Sequence, residues 1–239
     1  MRRLVVAPLV LAVAAAGAAG CAGSEGAEAQ DLLARSQQAV ARVDSYHFAA
    51  RIWTSGASQG FTMVMKGGGY GRGKRAGDFY LEARVEGVPG FERVTMVSRK
   101  GVLYMNAGTG WTPLPGESSP AQPALAGFDW TQYVEKVDVQ EGILVGGEPM
   151  TKITGTFDTK ALAGSPLGQL GGGSGISTWE GLGAEFGDTR AVIYVSEVTN
   201  LPMRGLVDLP MKILDQTVTT HVDYALSRIN EPVKIPNPA

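Results

Sequence analysis

The stretch "SYHFAARIW", residues 45–53, is where the period of the chain changes. Tyr46, Phe48, Ala50 and Ile52 alternate with His47, Ala49, Arg51 and Trp53. In an extended backbone the two sets point to opposite sides, one apolar and one mixed. The same period of two returns in Phe61, Met63 and Met65 against Thr62, Val64 and Lys66. It appears again in Phe79, Leu81, Ala83 and Val85 against Tyr80, Glu82 and Arg84. Successive runs of this kind predict antiparallel strands, each with one apolar face.

Upstream the pattern is helical. Asp31 is a natural N-cap, and Leu32, Leu33, Ser36, Ala39, Val40 and Val43 share one helical face. They predict a short amphipathic helix ending near Asp44 and Ser45. Downstream, "ERVTMVSRKGVLYMNAG" (92–108) predicts two strands joined by a tight turn at Arg99-Lys100-Gly101. The Pro/Gly/Ser-rich "PLPGESSPAQPALAG" (113–127) reads as a loop, and "FDWTQYVEKVDVQE" (128–141) as a short helix capped by Asp129. "EPMTKITGTFD" (148–158) alternates as a strand, and residues 159–187 read as helix fragments around a run of glycines. "TRAVIYVSEVTNLPMRGLVDLPM" (189–211) predicts a hairpin turning at Thr199-Asn200. "QTVTTHVDYALSRI" (216–229) is a last long strand with Val218, Thr220, Val222 and Tyr224 on one face, and the proline-rich end (230–239) is extended. Strands in series with helices gathered on one side of an antiparallel sheet make an α+β domain.

The chain opens with Met1-Arg2-Arg3 and the apolar, small-residue-rich "LVVAPLVLAVAAAGAAG" (4–20). A cationic start before a short apolar run is the layout of a secretory signal peptide. A membrane-spanning helix competes for this segment, but a span needs about 20 strongly apolar residues; Pro8 and the alanines argue against it. Ala18-Ala19-Gly20-Cys21 resembles the lipobox of bacterial lipoproteins, with alanine where leucine is usual three places before the cysteine. The resemblance implies that Cys21 is lipidated and becomes the first mature residue. More than one acyl chain there gives a stable anchor, which a single chain does not. Residues 22–30, "AGSEGAEAQ", read as a flexible tether. The expected organisation is therefore a signal peptide over 1–20, lipidated Cys21 and tether over 21–30, and one domain over 31–239.

Composition narrows the function. Cys21 is the only cysteine, which excludes an internal disulfide and any multi-cysteine zinc site. Two of the 21 basic residues, Arg2 and Arg3, leave with the signal, so the remainder is mildly acidic against its 23 carboxylates. That balance argues against a nucleic-acid partner.

Catalytic signals are sparse. Gly68, Gly73 and Lys74 satisfy G-x-x-x-x-G-K, but Arg75 stands where a P-loop needs Ser or Thr, and the following "DFYLEARV" alternates as a strand rather than opening a helix. A glycine-rich turn between strands explains the motif better. His47 and His221 are the two histidines; His221 and Asp223 lie on one strand face, where an acid–base pair is conceivable, and a hydrolase acting through them would require a serine or ordered water within hydrogen-bond reach of that histidine. A solvated polar face is the simpler reading. Neither an enzyme activity, a cofactor nor a metal is called for.

The order of lipobox, tether, helix "LLARSQQAVARVDSYHFAARI", strands, "GVLYMNAGTGWTPLP", the "VSEVTNLPMRGLV" hairpin and the ending "NEPVKIPNP" resembles the LppX/LprG family of actinobacterial lipoproteins. That family is similar in fold to the carrier LolA, and the resemblance implies a strongly curved half-barrel sheet whose concave side is covered by helices over an apolar cavity. It implies a cell-membrane lipoprotein, anchored on the extracytoplasmic side, that binds an acylated lipid or lipidated molecule and moves or presents it across the envelope. Phe48, Ile52, Phe61, Met63, Met65, Leu81, Val85 and Met96 are the candidate cavity wall. The alternative is a closed-core envelope sensor that meets a protein partner.

Overall fold

A computed structural model describes residues 21–56, 62–71, 74–86, 92–118, 134–157, 185–213 and 216–238. Its elements are α1 (Cys21–Val40), β1 (Ser45–Ser55), β2 (Thr62–Tyr70), β3 (Phe79–Glu86), β4 (Arg93–Arg99), β5 (Val102–Asn106) and β6 (Thr112–Ser118). There follow β7 (Val134–Val145), β8 (Glu148–Phe157), β9 (Glu185–Phe186), β10 (Thr189–Ser196), β11 (Pro202–Ile213) and β12 (Gln216–Ser227). The strands form one antiparallel sheet in the order β6-β5-β4-β3-β2-β1-β12-β11-β10-β8-β7, with β9 added on β11.

The topology is two meanders joined at the middle. β1 to β6 step outward to one edge, the chain passes to the opposite edge at β7, and the strands then step back until β12 pairs with β1. The sheet is open, as a half-barrel requires, with β6 and β7 at its edges. Register shifts interrupt the β5–β6, β7–β8 and β10–β11 pairings.

The strand periodicity holds where it was strongest. β1 alternates from buried Tyr46, Phe48 and Ala50 to exposed Ala49 and Arg51. Both predicted turns are present. Lys100 and Gly101 have φ of 52° and 79°, the left-handed pair a two-residue hairpin demands, and Asp78 Oδ1 accepts the Lys100 N–H at 2.9 Å. Asn200 turns the β10–β11 hairpin at φ 57°.

Several expectations are corrected. The helix begins at Cys21 rather than near Asp31, so the stretch read as a tether is helical, and Ala29 is already 1% exposed. Among the described residues α1 is the one helix, so a set of helices over the concave face is not found; it packs against the sheet near β7. Residues 134–141, expected within a helix, belong to β7. There, pairing with β8 supplies backbone partners that outweigh a short local helix. Thr112–Ser118 is strand β6 rather than loop; Pro113 and Pro115, which lack an N–H, are tolerated because β6 is an edge. Gly67, Gly68 and Gly69 lie inside β2, not in a turn. The expected helix fragments fall outside the described residues, except that Glu185 and Phe186 form β9. The signal segment, residues 1–20, also lies outside them.

The extended C-terminal segment crosses the outer face of the sheet. Tyr70 Oη donates to Val233 O at 2.8 Å, and Arg99 donates to Asn237 Oδ1 at 3.0 Å. At its start, Asn230 N–H donates to Ser45 O at 2.7 Å, and Asn230 Oδ1 accepts from Asp44 N–H at 2.8 Å. Gly68 faces this segment; a Cβ there would lie 2.8 Å from Tyr46 O and 3.3 Å from Val233 Cγ1. Tyr80 stands opposite Gly68 in register, and Val97 opposite Tyr80. Val97, on a face that would otherwise meet water, is 0% exposed.

Candidate functional site

Directly paired residues of an antiparallel sheet share a face, so the register lays out the inner surface row by row. One row runs Leu226, Phe48, Gly67, Leu81, Met96 and Met105 from β12 to β5. The next runs Ile193, Gly205, Tyr224, Ala50, Met65 and Ala83 from β10 to β3. A third runs Val207, Val222, Ile52, Met63 and Val85. All are apolar or glycine, apart from the Tyr224 hydroxyl. Burying each large side chain contributes about 1.5–3 kcal/mol.

Two glycines make this surface pack. A Cβ on Gly67 would lie 2.6 Å from Phe48 Cε1, and one on Gly205 would overlap the Tyr224 ring. Each aromatic ring therefore occupies space beside the glycine opposite it, and at Gly67 the Tyr80 carbonyl oxygen closes the rest. In a strand interior glycine costs about 0.5–1 kcal/mol relative to alanine; here the ring takes the space a side chain would fill.

Burial is uneven along the rows. Phe48, Met65 and Leu81 are buried, whereas Ile52, Met63, Val85 and Met96 are half-buried, and Ile52, Met63 and Met96 pack against the core. The structure thus places these seven sequence candidates on one continuous face, graded from closed to partly open. Phe61 lies outside the described residues. The candidate set missed the other half of the wall, Ile193, Val207, Val222 and Tyr224, although the alternation of residues 189–196 and 216–227 carries it.

A separate cleft of about 540 Å³ lies at the C-terminal end of α1. Ala39, Val43, Leu201, Met203 and Ile229 give it an apolar floor, and Arg42, Arg228, Glu148 and Glu231 stand around it. None of the candidate cavity residues lines it. The half-buried row is apolar throughout, whereas the cleft carries side chains of both charges.

Around β11, β12 and the end of β1 the outer face carries polar and charged side chains. His221 stands between Trp53 on β1 and Asp208 on β11, and its ring stacks on Trp53 at 4.9 Å with planes 17° apart. His221 Nδ1 is 2.7 Å from Asp208 Oδ1, and Nε2 is 2.8 Å from Ser55 Oγ. The acid beside His221 is therefore Asp208, not Asp223. Arg204 engages Asp223 through both oxygens, Nε to Oδ1 at 3.1 Å and Nη2 to Oδ2 at 2.8 Å. That hydrogen bond raises the Arg204 pKa above its ordinary value, partly opposed by burial. Lys74 is exposed, Gly68 is packed within β2, and Gly73 lies outside the described residues, so no phosphate cradle is seen among the described ones. His47 flanks Gly68 on the outer face, apart from His221. Asp208 and Ser55 had no signal in local sequence, because three strands must pair before they meet.

Among solved structures, the chain resembles LprF from Mycobacterium bovis, with a TM-score of 0.56 and 19% identity over 89% of this chain and 98% of that one. It shares the fold of LprF. The lipoprotein LppX from Mycobacterium tuberculosis gives 0.47 and 15% over 87% and 99%, and the LolA superfamily protein NE2245 from Nitrosomonas europaea 0.34 and 9% over 85% and 94%. No protein-family model matches the chain, and no curated protein matches it. Among the described residues no helix is long and apolar enough to cross a membrane.

Proposed function

We propose that the chain is an envelope lipoprotein, anchored through Cys21 once residues 1–20 are removed, that holds the acyl part of a lipid or lipidated molecule against its inner face and carries or presents it. The observation that carries this reading is the half-buried row Ile52, Met63 and Val85, on one face with the buried Phe48, Met65 and Leu81 and with half-buried Met96, which lies in the Phe48 row. Methionine suits such a wall because its unbranched thioether adapts to varied apolar partners. Each methylene moved from water onto it contributes about 0.8 kcal/mol, so eight methylenes supply roughly 6 kcal/mol before the cost of association. The likeness to LprF supports the fold on which the reading rests.

The half-barrel curvature, the carrier role and the extracytoplasmic location belong to this proposal. Mass spectrometry of organic extracts from the purified Cys21→Ser chain tests it. A stoichiometric co-purifying acyl lipid is the expected result; its absence under native purification contradicts ligand binding and favours the closed-core alternative. Separately, Cys21→Ser should release the protein from membranes, and continued tight membrane association contradicts lipid anchoring.

A further inference from the structure

We propose that Ser55 is a nucleophile activated by His221 and Asp208, and that it is acylated by small activated carboxylic esters on the outer face of the sheet. The two hydrogen bonds run in one line, Ser55 Oγ to His221 Nε2 at 2.8 Å and His221 Nδ1 to Asp208 Oδ1 at 2.7 Å. A carboxylate accepts only, so Nδ1 carries the ring proton, and Nε2 of the neutral imidazole is left to accept from the serine hydroxyl. This is the nucleophile, base and orienting acid arrangement that makes a serine reactive.

Three features hold the line in place. Its members come from β1, β12 and β11, whose register sets Trp53, His221 and Asp208 directly across from one another. Trp53 fixes the plane of the imidazole by stacking on it. The competing acid, Asp223, is already engaged by Arg204. Ser55 ends β1, the chain turns at Gly56 with φ +84°, and the serine is exposed. A small ester can therefore reach Oγ, and none of the residues around the cleft described above is involved. This inference does not depend on lipid binding at the inner face.

In the step, Ser55 Oγ forms a bond to the acyl carbon while its proton passes to His221 Nε2. The bond from the acyl carbon to the leaving phenolate breaks, and His221 returns the proton to that oxygen. The products are acyl-Ser55 and a phenol. A positioned base contributes about 10²–10⁴-fold to such a transfer.

The test incubates the full chain with p-nitrophenyl acetate and maps adducts by peptide mass spectrometry. The expected result is acetylation at Ser55 that is lost in Ser55→Ala and at least tenfold slower in His221→Gln. Asp208 is more than half exposed, so Asp208→Asn keeps the fold testable if the histidine variant misfolds, and it too should slow acylation at least tenfold. Absence of a Ser55 adduct, or equal labelling in folded His221→Gln or Asp208→Asn, overturns the proposal.

Discussion

Gly205→Ala should lower stability by about 1–3 kcal/mol, the range for forcing an extra methyl into a packed core. A Cβ at residue 205 would lie 2.8 Å from Tyr224 Cζ and 3.0 Å from Cδ1, and would overlap Cε1. Tyr224 is 1% exposed and sits between Ala50 on β1 and Gly205 on β11, so its ring has no solvent to move into. The three atoms nearest that Cβ all belong to this ring, which makes the penalty a property of the pair. Tyr224→Val removes the ring at a cost of roughly 3 kcal/mol. In that background Gly205→Ala should change sign and stabilise by about 0.5–1 kcal/mol, the ordinary advantage of alanine over glycine in a strand. The coupling energy is then about 2 kcal/mol or more, at the upper end for residues in contact. Urea denaturation of the four proteins of the cycle measures it. If Gly205→Ala costs the same in both backgrounds, the ring is not what occupies the glycine's space and the reasoning fails.

Ser36 is fully buried on α1, and its hydroxyl has no hydrogen-bond partner among the described residues. Ser36→Ala should stabilise by about 1 kcal/mol through desolvation and helix propensity, seen as a higher urea midpoint. Lys100 holds a left-handed φ of 52° that asparagine adopts more easily; Lys100→Asn should raise stability by about 0.5–1 kcal/mol in a thermal melt. Val233 is 5% exposed on the outer face, so Val233→Asp should cost more than about 2 kcal/mol, measured by denaturation, as an unpaired carboxylate replaces a buried methyl pair.

How much of this was legible in the sequence follows from the range of the interactions. Tyr46, Phe48 and Ala50 announce a half-buried strand because alternation is local, and Arg99-Lys100-Gly101 announces its turn for the same reason. Residues 134–141 did not announce β7, since only pairing with β8 decides against the helix their spacing permits. Pro113 and Pro115 looked like loop residues because their tolerance depends on β6 being an edge, a property of the whole sheet. The site divides the same way. Phe48, Met65 and Leu81 could be assigned to one face from period alone. The meeting of Ser55, His221 and Asp208 needed cross-strand register, and the glycines of β2 became intelligible only once Phe48 lay over Gly67.

The account turns on an acyl chain lying against the inner face. Photocrosslinking the Cys21→Ser chain with a diazirine-bearing fatty acid, followed by peptide mass spectrometry, tests that placement directly. The account predicts adducts at the half-buried inner-face residues Ile52, Met63, Val85 or Met96, with their yield reduced severalfold by Met63→Lys in a protein that remains folded. No adducts, or adducts confined to outer-face residues such as Trp53 and Tyr80, would contradict it.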